Sequence, residues 1–321
     1  MNILVTGASG FIGSAFLRRF ATRSDVSLYG IGRRSCTGFP AEVRYRALPA
    51  EQLDNLDFSP DVVIHAAGRA SPCGTARDYY QDNVRTTQQV IDYCNRNGHP
   101  RLLFISSAAV YYRFEHQFNL RENSPAGPVF TSRYGQSKRE AEIRVEGYAG
   151  EKTIFRPCAV FGPGDNLLFP PLLAAAEKKK LVKLHSGNVK AQADIMHVDV
   201  LCDYLMKAAV SPELRPYYNI SANRPVETEH FLCDVLRELN LPLPEKTLHL
   251  NTALFVAGAL ELLWRCLPLT GTPPVTRFGI AVFGYSATLD VTAMLEDFGP
   301  PQADFELSLS TFLQEYRKEQ L

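Results

Sequence analysis

The residues best suited to chemistry in this chain are a tyrosine and a lysine four positions apart. In Tyr-Gly-Gln-Ser-Lys, Tyr134 and Lys138 lie on one face of a helix. A free phenol titrates at about 10, and a nearby cation favours the phenolate, so Lys138 can lower the pKa of Tyr134 and make it a general acid or base. Ser107 ends a strand-like run and can hydrogen-bond the same substrate oxygen. The same Tyr-x-x-x-Lys spacing also arises by chance on surface helices.

A glycine-rich turn at the start of the chain predicts a dinucleotide site. Residues 2–5 are a short apolar run of the kind that forms a buried parallel strand, and residues 14–20 continue at helical spacing. Between them, glycines allow a tight turn, a close approach of the backbone to a diphosphate, and close packing of helix on strand. The cofactor residues predicted in this turn are Gly7, Ser9, Gly10, Phe11, Ile12 and Gly13.

The residues that follow the second strand-like run favour NADP(H) over NAD(H). About 20 residues after such a turn, NAD-binding folds place a carboxylate on the ribose hydroxyls. Here residues 29–35 read Tyr-Gly-Ile-Gly-Arg-Arg-Ser, with no carboxylate and two guanidinium groups. Arg33 or Arg34 can pair with a 2′-phosphate, which an acidic side chain would repel. The alternative is that both arginines are solvated surface charges.

Strand-like runs alternate with helical stretches through the first half of the chain. This order predicts an α/β fold, a Rossmann-type doubly wound parallel sheet with a smaller, partly discontinuous C-terminal lobe. Composition changes after residue 164, and the strand-then-helix pattern resumes near residue 193. We therefore predict a dinucleotide-binding domain over 1–164 and 193–220, and a substrate-binding lobe over 165–192 and 221–321 that closes a cleft over the cofactor.

Charge and cysteine content argue against several classes of protein. Lys plus Arg and Asp plus Glu both number 34, so the net charge is zero, which gives no support for a nucleic-acid or anionic-membrane partner. The 7 cysteines are scattered, which favours free thiols in a reducing compartment over disulfides or a metal site. The first residues already form the predicted nucleotide-binding strand and show no secretory signal, so we predict a cytoplasmic protein.

Residues 253–269 are the most hydrophobic segment of the chain. The segment is too short for a comfortable membrane span and contains Glu261 and Arg265, so no transmembrane helix is predicted. Two interpretations stay open. One is a helix buried in the C-terminal lobe, and the other is a lid over a lipophilic pocket that also touches a membrane surface.

The motifs and their order resemble the extended short-chain dehydrogenase/reductase family over most of the chain. Besides the glycine turn and the Tyr-x-x-x-Lys helix, the matching segments are Asp61-Val-Val-Ile-His-Ala-Ala-Gly68, Ser106-Ser-Ala-Ala-Val-Tyr111, Phe155-Arg-Pro-Cys-Ala-Val-Phe-Gly-Pro-Gly164 and His197-Val-Asp-Val200. The resemblance implies that Tyr134 is the acid/base, that Lys138 lowers its pKa and holds the nicotinamide ribose, and that Ser107 binds the substrate oxygen.

The same resemblance implies further cofactor contacts and a dimer. The residues it places at the adenosine and pyrophosphate are Ala66, Ala67 and Gly68, and those at the nicotinamide include Pro157 and Val160. Asn83 keeps two open roles, a cofactor contact or a side chain that ties down backbone. Members of the family pair through helices near 83–97 and 134–146, so we expect a homodimer.

Substitutions in the family motifs guide the choice of branch. Dehydratases of the family carry Asp-Glu directly after the active-site hydroxyl, where this chain has Ala108 and Ala109. Nucleotide-sugar epimerases commonly have Arg-Asp before the His-Val-Asp segment, where it has Ala193-Asp194, although Lys190 or Arg224 could supply the missing cation.

Other segments resemble the 3β-hydroxysteroid dehydrogenase-like branch, which includes ketoreductases of lipophilic substrates. They are residues 69–80 and the tail 274–292. Tyr112 departs from the family pattern, which has Gly there, and its ring is expected to narrow the pocket mouth.

The function indicated is an NADP(H)-dependent oxidoreductase that interconverts a carbonyl and a secondary alcohol on a lipophilic or secondary-metabolite substrate. The alternatives are a nucleotide-sugar 4-epimerase or reductase of the same family, and a non-catalytic NADP(H)-sensing regulator. The expected partners are a small-molecule substrate and a second copy of the chain, without nucleic acid.

Overall fold

The computed structural model describes residues 1–71, 74–267, 273 and 275–320. Three pieces of the segments discussed above lie outside this part of the chain: residues 72–73 of segment 69–80, residues 268–269 of the apolar segment, and residue 274 of the tail. The strands are β1 (Asn2–Thr6), β2 (Ser27–Gly32), β3 (Arg44–Ala47), β4 (Val62–His65), β5 (Arg101–Ile105), β6 (Gln117–Leu120), β7 (Lys152–Pro157), β8 (Ala159–Phe161), β9 (Lys183–His185), β10 (Gln192–His197), β11 (Tyr217–Ile220), β12 (Pro225–Glu227), β13 (Thr247–His249) and β14 (Ala287–Leu289).

Helices connect most of these strands. They are α1 (Phe11–Arg19), α2 (Ala76–Tyr79), α3 (Thr86–Arg96), α4 (Arg133–Glu146), α5 (Phe169–Glu177), α6 (Val198–Val210), α7 (Thr228–Glu238), α8 (Leu250–Cys266), α9 (Arg277–Gly284), α10 (Thr292–Phe298) and α11 (Phe305–Gln320). A π-helical segment, Tyr80–Arg85, joins α2 to α3, and the 3₁₀ turns are Ala50–Asn55 and Ala108–Val110.

Seven parallel strands form the main sheet, in the order β11-β7-β5-β4-β1-β2-β3. The chain starts at β1 in the interior and winds outward on both sides, so the predicted doubly wound fold is confirmed. All four residues of β4 are buried, as expected for a strand covered by helices on both faces. The order reverses between β1 and β4, and ligands of such sheets bind at the carboxyl ends of the strands at this point.

Alternating side chains of β1 build the two faces of the core. Ile3 and Val5 belong to the cluster that contains Phe16 of α1, whereas Leu4 belongs to the cluster on the other face, which contains Val90 of α3. This alternation follows from the period of two in a strand. The alternation fixes the register of β1, because a shift of one residue would exchange the two faces. The position of the turn after β1 is fixed with it.

A second sheet, in the order β12-β10-β14-β6, lies beside the first, and β8 pairs with β10. Strands β9 and β13 form a separate pair. The division of the chain at 164, 193 and 220 stays a prediction. The two sheets do not divide the chain at these positions, because β6 and β8 come from the region before residue 164 and yet belong to the same sheet as β10.

Helix α8 carries most of the apolar segment and is buried on one face only. Ala253 and Ala257 face inward, and the helix packs against α9, whereas Phe255 is 78% exposed and Leu262 is 60% exposed. The interpretation of a fully buried helix is therefore wrong for the outer face. No helix within the described residues is long and apolar enough to cross a membrane.

Candidate active site

The glycine turn between β1 and α1 lies directly against the segment that follows β4. Gly7 has a φ of +70°, and a Cβ added to it would lie 2.5 Å from the backbone nitrogen of Ala67. Only glycine permits both this left-handed conformation and this close approach. The turn that carries Gly7, Ser9, Gly10, Phe11, Ile12 and Gly13 therefore contacts Ala66 and Ala67 through Gly7, whereas Gly68 lies near Asn83 and Lys138.

The start of helix α1 suits a bound diphosphate. Gly10 is its N-cap, and among the described residues no side chain caps the first turn or adds an acidic group to it. The first N–H groups of a helix need a partner from outside the helix, and the helix dipole favours an anion there. The residues present therefore fit the diphosphate of a dinucleotide.

Arg33 and Arg34 follow β2 and point in different directions. Arg34 donates to the backbone oxygen of Ser9 in the glycine turn at 2.6 Å. Arg33 pairs with Asp82 at 2.8 Å, and the second oxygen of Asp82 accepts from Arg69 Nε at 2.9 Å. The sequence has no carboxylate within residues 29–35, but the fold brings Asp82 to Arg33 from the π-helical segment.

The hydroxyl of Ser107 lies near the phenol of Tyr134 and interacts with it. Ser107 precedes the 3₁₀ turn after β5, where its hydroxyl accepts the Ala109 N–H at 3.1 Å. Tyr134 lies in the first turn of α4, which Ser132 caps through the N–H of Gly135. A Cβ on Gly135 would lie 2.4 Å from the Ala109 oxygen, so a side chain there would push Tyr134 away from Ser107.

Lys138 is buried one helical turn beyond Tyr134. Its ammonium donates to the backbone oxygen of Ile105 at 2.8 Å and lies 5.1 Å from the ring centroid of Phe104. Burial lowers the pKa of Lys138 to about 8, and the charge of Glu142 opposes this shift. A Cβ on Gly68 would lie 3.3 Å from the Lys138 nitrogen, which places the ammonium at the end of β4.

The pKa of Tyr134 shifts in the direction opposite to the sequence prediction. Burial of the phenol raises its pKa, and the hydrogen bond with Ser107 lowers it by a smaller amount. The predicted lowering by Lys138 is not found, because the ammonium is bonded to the end of β5. The phenol of Tyr134 therefore holds its proton at neutral pH.

Asn83 lies in the π-helical segment, and its amide is engaged with protein groups. Its oxygen accepts the Arg69 N–H at 2.6 Å, and its nitrogen donates to the Arg69 oxygen at 3.1 Å and to the hydroxyl of Ser137 at 2.7 Å. These contacts are what the structural role predicts. They tie the loop after β4 to helix α4, which carries Tyr134 and Lys138.

His65, at the end of β4, is a fully buried neutral histidine beside Lys138. Its Nδ1 lies 2.7 Å from the hydroxyl of Thr6, and its Nε2 lies 2.9 Å from the hydroxyl of Thr87. The Thr87 hydroxyl donates its proton to the backbone oxygen of Asn83, so Nε2 carries the imidazole proton and Nδ1 accepts from Thr6. Burial and then the Lys138 charge lower the pKa of His65 to about 3, so its role is structural at neutral pH.

Pro157 and Val160 lie in β7 and β8, on the side of the site next to the second sheet. Cys158 follows Pro157, and burial together with the nearby charge of Asp194 holds the pKa of its thiol well above the ordinary value. Tyr112 interacts electrostatically with Cys158, Asp194 and Tyr134, and burial raises the pKa of its phenol.

A groove extends from Tyr112 toward α9. It is narrow, with a cavity volume of about 20 Å³. Apart from Tyr112, its lining residues are Arg113, Gln117, Ala159, Ala193, Asp194, Ala281, Val282, Tyr285, Ser286 and Ala287. Tyr112 lines the groove, and its narrowing of the mouth stays a prediction. Half of the other lining residues are small and apolar, and the other half are polar.

Four residues at the site were not identified from the sequence: His65, Asp82, Arg69 and Arg113. His65 lies within the motif of residues 61–68. A histidine at this position is compatible with catalysis, and its burial in the folded chain shows that its role is structural. Asp82 and Arg69 were adjacent to predicted residues, but their pairing across 13 positions had no local signal. Arg113 directly follows Tyr112, which the sequence had placed at the pocket mouth, and this adjacency could have predicted that Arg113 also lines the groove.

The model of the NAD dependent epimerase/dehydratase family matches residues 3–221. The matched region contains the glycine turn, Ser107, Tyr134 and Lys138. The chain belongs to this family. It is thus an enzyme of the extended short-chain dehydrogenase/reductase type, as its motif order predicted.

Members with different reactions are similar to this enzyme. A 2-alkyl-3-oxoalkanoate reductase of Stenotrophomonas maltophilia is 28% identical, covering 87% of this chain and 88% of its own. The 4-hydroxy-2-methyl-3-oxo-4-farnesyl-3,4-dihydroquinoline-1-oxide ketoreductase of Stigmatella aurantiaca is 24% identical, covering 90% and 89%. The structure of UDP-glucose 4-epimerase from Thermotoga maritima superposes with a TM-score of 0.74 at 18% identity over 100% of both chains, a likeness of fold.

Proposed function

We propose that this family member is an NADP(H)-dependent ketoreductase, which interconverts a carbonyl and a secondary alcohol on a lipophilic substrate. The observation that carries the proposal is the interaction of the Ser107 hydroxyl with the phenol of Tyr134. Tyr112, which interacts with Tyr134, lines a groove whose other wall residues are four alanines, a valine and five polar side chains. Two neighbouring hydroxyl groups suit a carbonyl oxygen, and the alanines and the valine suit an apolar part of the same molecule.

The residues of this site divide the chemistry between them. When bound, NADPH supplies a hydride to the carbonyl carbon. Tyr134 donates its proton to the carbonyl oxygen, and the raised pKa of this tyrosine keeps that proton available. Ser107 donates a second hydrogen bond to the same oxygen, and Lys138 lies where it can hold the ribose hydroxyls.

The substrate proposed for the groove is a ketone with a long alkyl or isoprenoid chain. Two similar enzymes are named as reductases of 3-oxo compounds, one with a 2-alkyl and one with a farnesyl substituent. Such a chain would contact the small side chains of Ala159, Ala193, Ala281 and Ala287, and the narrow groove would have to widen to admit it. The dimer and the cytoplasmic location stay predictions of the sequence.

A nucleotide-sugar epimerase is the second candidate, and the fold shared with UDP-glucose 4-epimerase supports it. The cations that could replace the missing arginine are both engaged. Lys190 pairs with Glu227 at 3.0 Å, and Arg224 pairs with Glu306. Net consumption of NADPH with a ketone substrate supports the reductase, whereas epimerisation of UDP- or dTDP-sugars without net NADPH use would replace it. NADPH binding with no turnover over a broad carbonyl panel would indicate a regulator.

For cofactor choice, we expect NADPH to bind more than about tenfold more tightly than NADH. A charge-assisted hydrogen bond contributes about 1.5–3 kcal/mol, roughly ten- to a hundredfold in affinity. Replacing Arg33 and Arg34 by Ala should remove most of the preference by weakening NADPH binding alone. Added salt should reduce it as well, because an exposed ion pair is screened. Fluorescence titration with each cofactor measures the two affinities. Equal affinities would mean that the two arginines are solvated surface charges that do not contact the 2′-phosphate.

The variant Asp82→Asn is a control that should change NADPH affinity in the direction opposite to the arginine variants. It releases Arg33 and Arg69 from the shared carboxylate without removing either guanidinium. We expect tighter NADPH binding and unchanged NADH binding. If Asp82→Asn instead weakens the binding of both cofactors equally, Asp82 supports the shape of the site and does not compete with the 2′-phosphate for the arginines.

For the groove, we expect kcat/KM to rise with the alkyl length of the ketone until the space is filled. Each buried methylene contributes roughly 0.8 kcal/mol, about fourfold in binding. A series of homologous ketones with NADPH oxidation as the readout measures the slope. A flat series, with short and long ketones reduced equally well, would reject the apolar groove as the substrate site.

A further inference from the structure

Gly32, the last residue of β2, stands where NAD-binding folds carry an acidic side chain for the ribose hydroxyls, about 20 residues after the glycine turn. A Cβ added to Gly32 would lie 2.5 Å from Oγ of Ser9 and 2.9 Å from the phenol oxygen of Tyr45. Both distances are shorter than a Cβ tolerates in a folded protein. Two hydroxyl groups therefore fill the space that a carboxylate side chain at this position would need.

Tyr45 supplies one of these hydroxyl groups from β3, the edge strand of the main sheet. The centroid of its ring lies 5.1 Å from that of Phe39, and its phenol donates to the backbone oxygen of Arg34 at 2.5 Å. The hydroxyl of Ser9 interacts with the same phenol. Burial raises the pKa of Tyr45, so the phenol is uncharged at neutral pH and does not repel a phosphate.

Arg34 is held at its backbone and at its side chain by this arrangement. Its backbone oxygen accepts from Tyr45, and its Nη2 donates to the backbone oxygen of Ser9 at 2.6 Å. Within the described ranges Arg34 forms no ion pair, whereas Arg33 is paired with Asp82. A guanidinium has five N–H donors in a planar fork that matches a phosphate, so Arg34 has donors left for one.

We propose that Tyr45 and Ser9 determine cofactor selectivity: their hydroxyl groups occupy the place of a ribose-binding carboxylate, and Tyr45 positions Arg34 for the 2′-phosphate. This inference rests on the NADP(H) preference proposed above and names the residues that enforce it. An acidic side chain at position 32 would repel the 2′-phosphate, and the two hydroxyl groups leave no room for one. Tyr45 had no local signal in the sequence, because it lies 11 positions beyond Arg34 on another strand.

The first test uses binding alone, with ADP-ribose and ADP-ribose 2′-phosphate titrated by isothermal calorimetry. Tyr45→Phe keeps the ring against Phe39 and removes the group that holds Arg34. We expect it to weaken binding of the 2′-phosphorylated ligand by about three- to tenfold, in the range of one net hydrogen bond, and to leave binding of ADP-ribose unchanged. Tyr29→Phe is the matched control, because Tyr29 lies on the neighbouring strand β2 and packs against Phe58 on the other face of the sheet. Both ligands should bind to it as before.

The second test introduces the carboxylate at position 32. Gly32→Asp alone should weaken the binding of NADPH and of NADH, because its Cβ meets both hydroxyl groups. Combined with Ser9→Ala and Tyr45→Phe, which remove both oxygens, Gly32→Asp should make NADH bind more tightly than NADPH. The Cβ of residue 9, at 3.1 Å, is then the next contact. The double variant that keeps Gly32 is the control, and it should bind NADH as the unaltered protein does.

Equal weakening of both ADP-ribose ligands in Tyr45→Phe would overturn the inference and assign Tyr45 to the support of the sheet edge. No weakening of either ligand would overturn it as well, and so would tight NADH binding by Gly32→Asp alone. In these cases tighter binding of NADPH than of NADH by the unaltered protein keeps the proposed cofactor, whereas equal affinities remove both.

Discussion

Tyr134→Phe should lower kcat by about 10²–10⁴-fold and leave the affinity for NADPH nearly unchanged. The substitution keeps the ring of Tyr134 and removes the proton donor alone, and general acid catalysis contributes this range of rate. Steady-state oxidation of NADPH gives kcat, and fluorescence titration gives the cofactor affinity. Retention of more than about a tenth of the unaltered activity would reject Tyr134 as the acid.

Tyr112→Phe is the matched control, since it removes the hydroxyl of a second tyrosine close to the first. Tyr112 interacts electrostatically with Tyr134, whereas the Ser107 hydroxyl interacts with the phenol of Tyr134. We expect a far smaller loss than in Tyr134→Phe. Lys138→Ala should differ from both, because a residue that holds the ribose should raise the dissociation constant for NADPH and lower kcat together.

Arg156→Met should destabilise the protein by about 3–5 kcal/mol, because it leaves a carboxylate without its buried partner. Arg156 of β7 and Glu142 of α4 are 3% and 0% exposed, and two hydrogen bonds of 2.8 Å join them. Arg139 still contacts Glu142 from the surface side of α4, but it cannot fill the space of the lost guanidinium. Urea unfolding with an unchanged m-value measures the loss.

Arg96→Met provides the control for the same change of residue type in an exposed ion pair. Arg96 and Asp54 lie 2.8 Å apart and are 57% and 55% exposed, so the loss should be below about 1 kcal/mol. The double variant Arg156→Met with Glu142→Leu should regain much of the lost stability, since neither charge then stays buried alone. If Arg156→Met unfolds at the same urea concentration as Arg96→Met, the buried pair does not stabilise the fold.

Local pattern was sufficient for the main sheet and for the position of the chemical groups along it. Each strand-turn-helix unit is short, and parallel crossovers are right-handed, so the order of motifs predicts that their strand ends meet at one edge of the sheet. The glycine turn after β1, Ser107 after β5 and Tyr134 on α4 follow from such units. The family likewise followed from their order, because the motifs lie on successive units of one sheet.

Distances across the sheet and degrees of burial were set by the tertiary structure alone. Asp82 reaches Arg33 across 49 positions of sequence, a pairing with no local signal. The four-residue spacing of Tyr134 and Lys138 predicted a lowered phenol pKa, yet burial raises it, because the fold removes the phenol from water and bonds the ammonium to Ile105. The exposure of the outer face of α8 depends equally on which neighbours the folded chain supplies, and apolar residue types do not by themselves specify those neighbours.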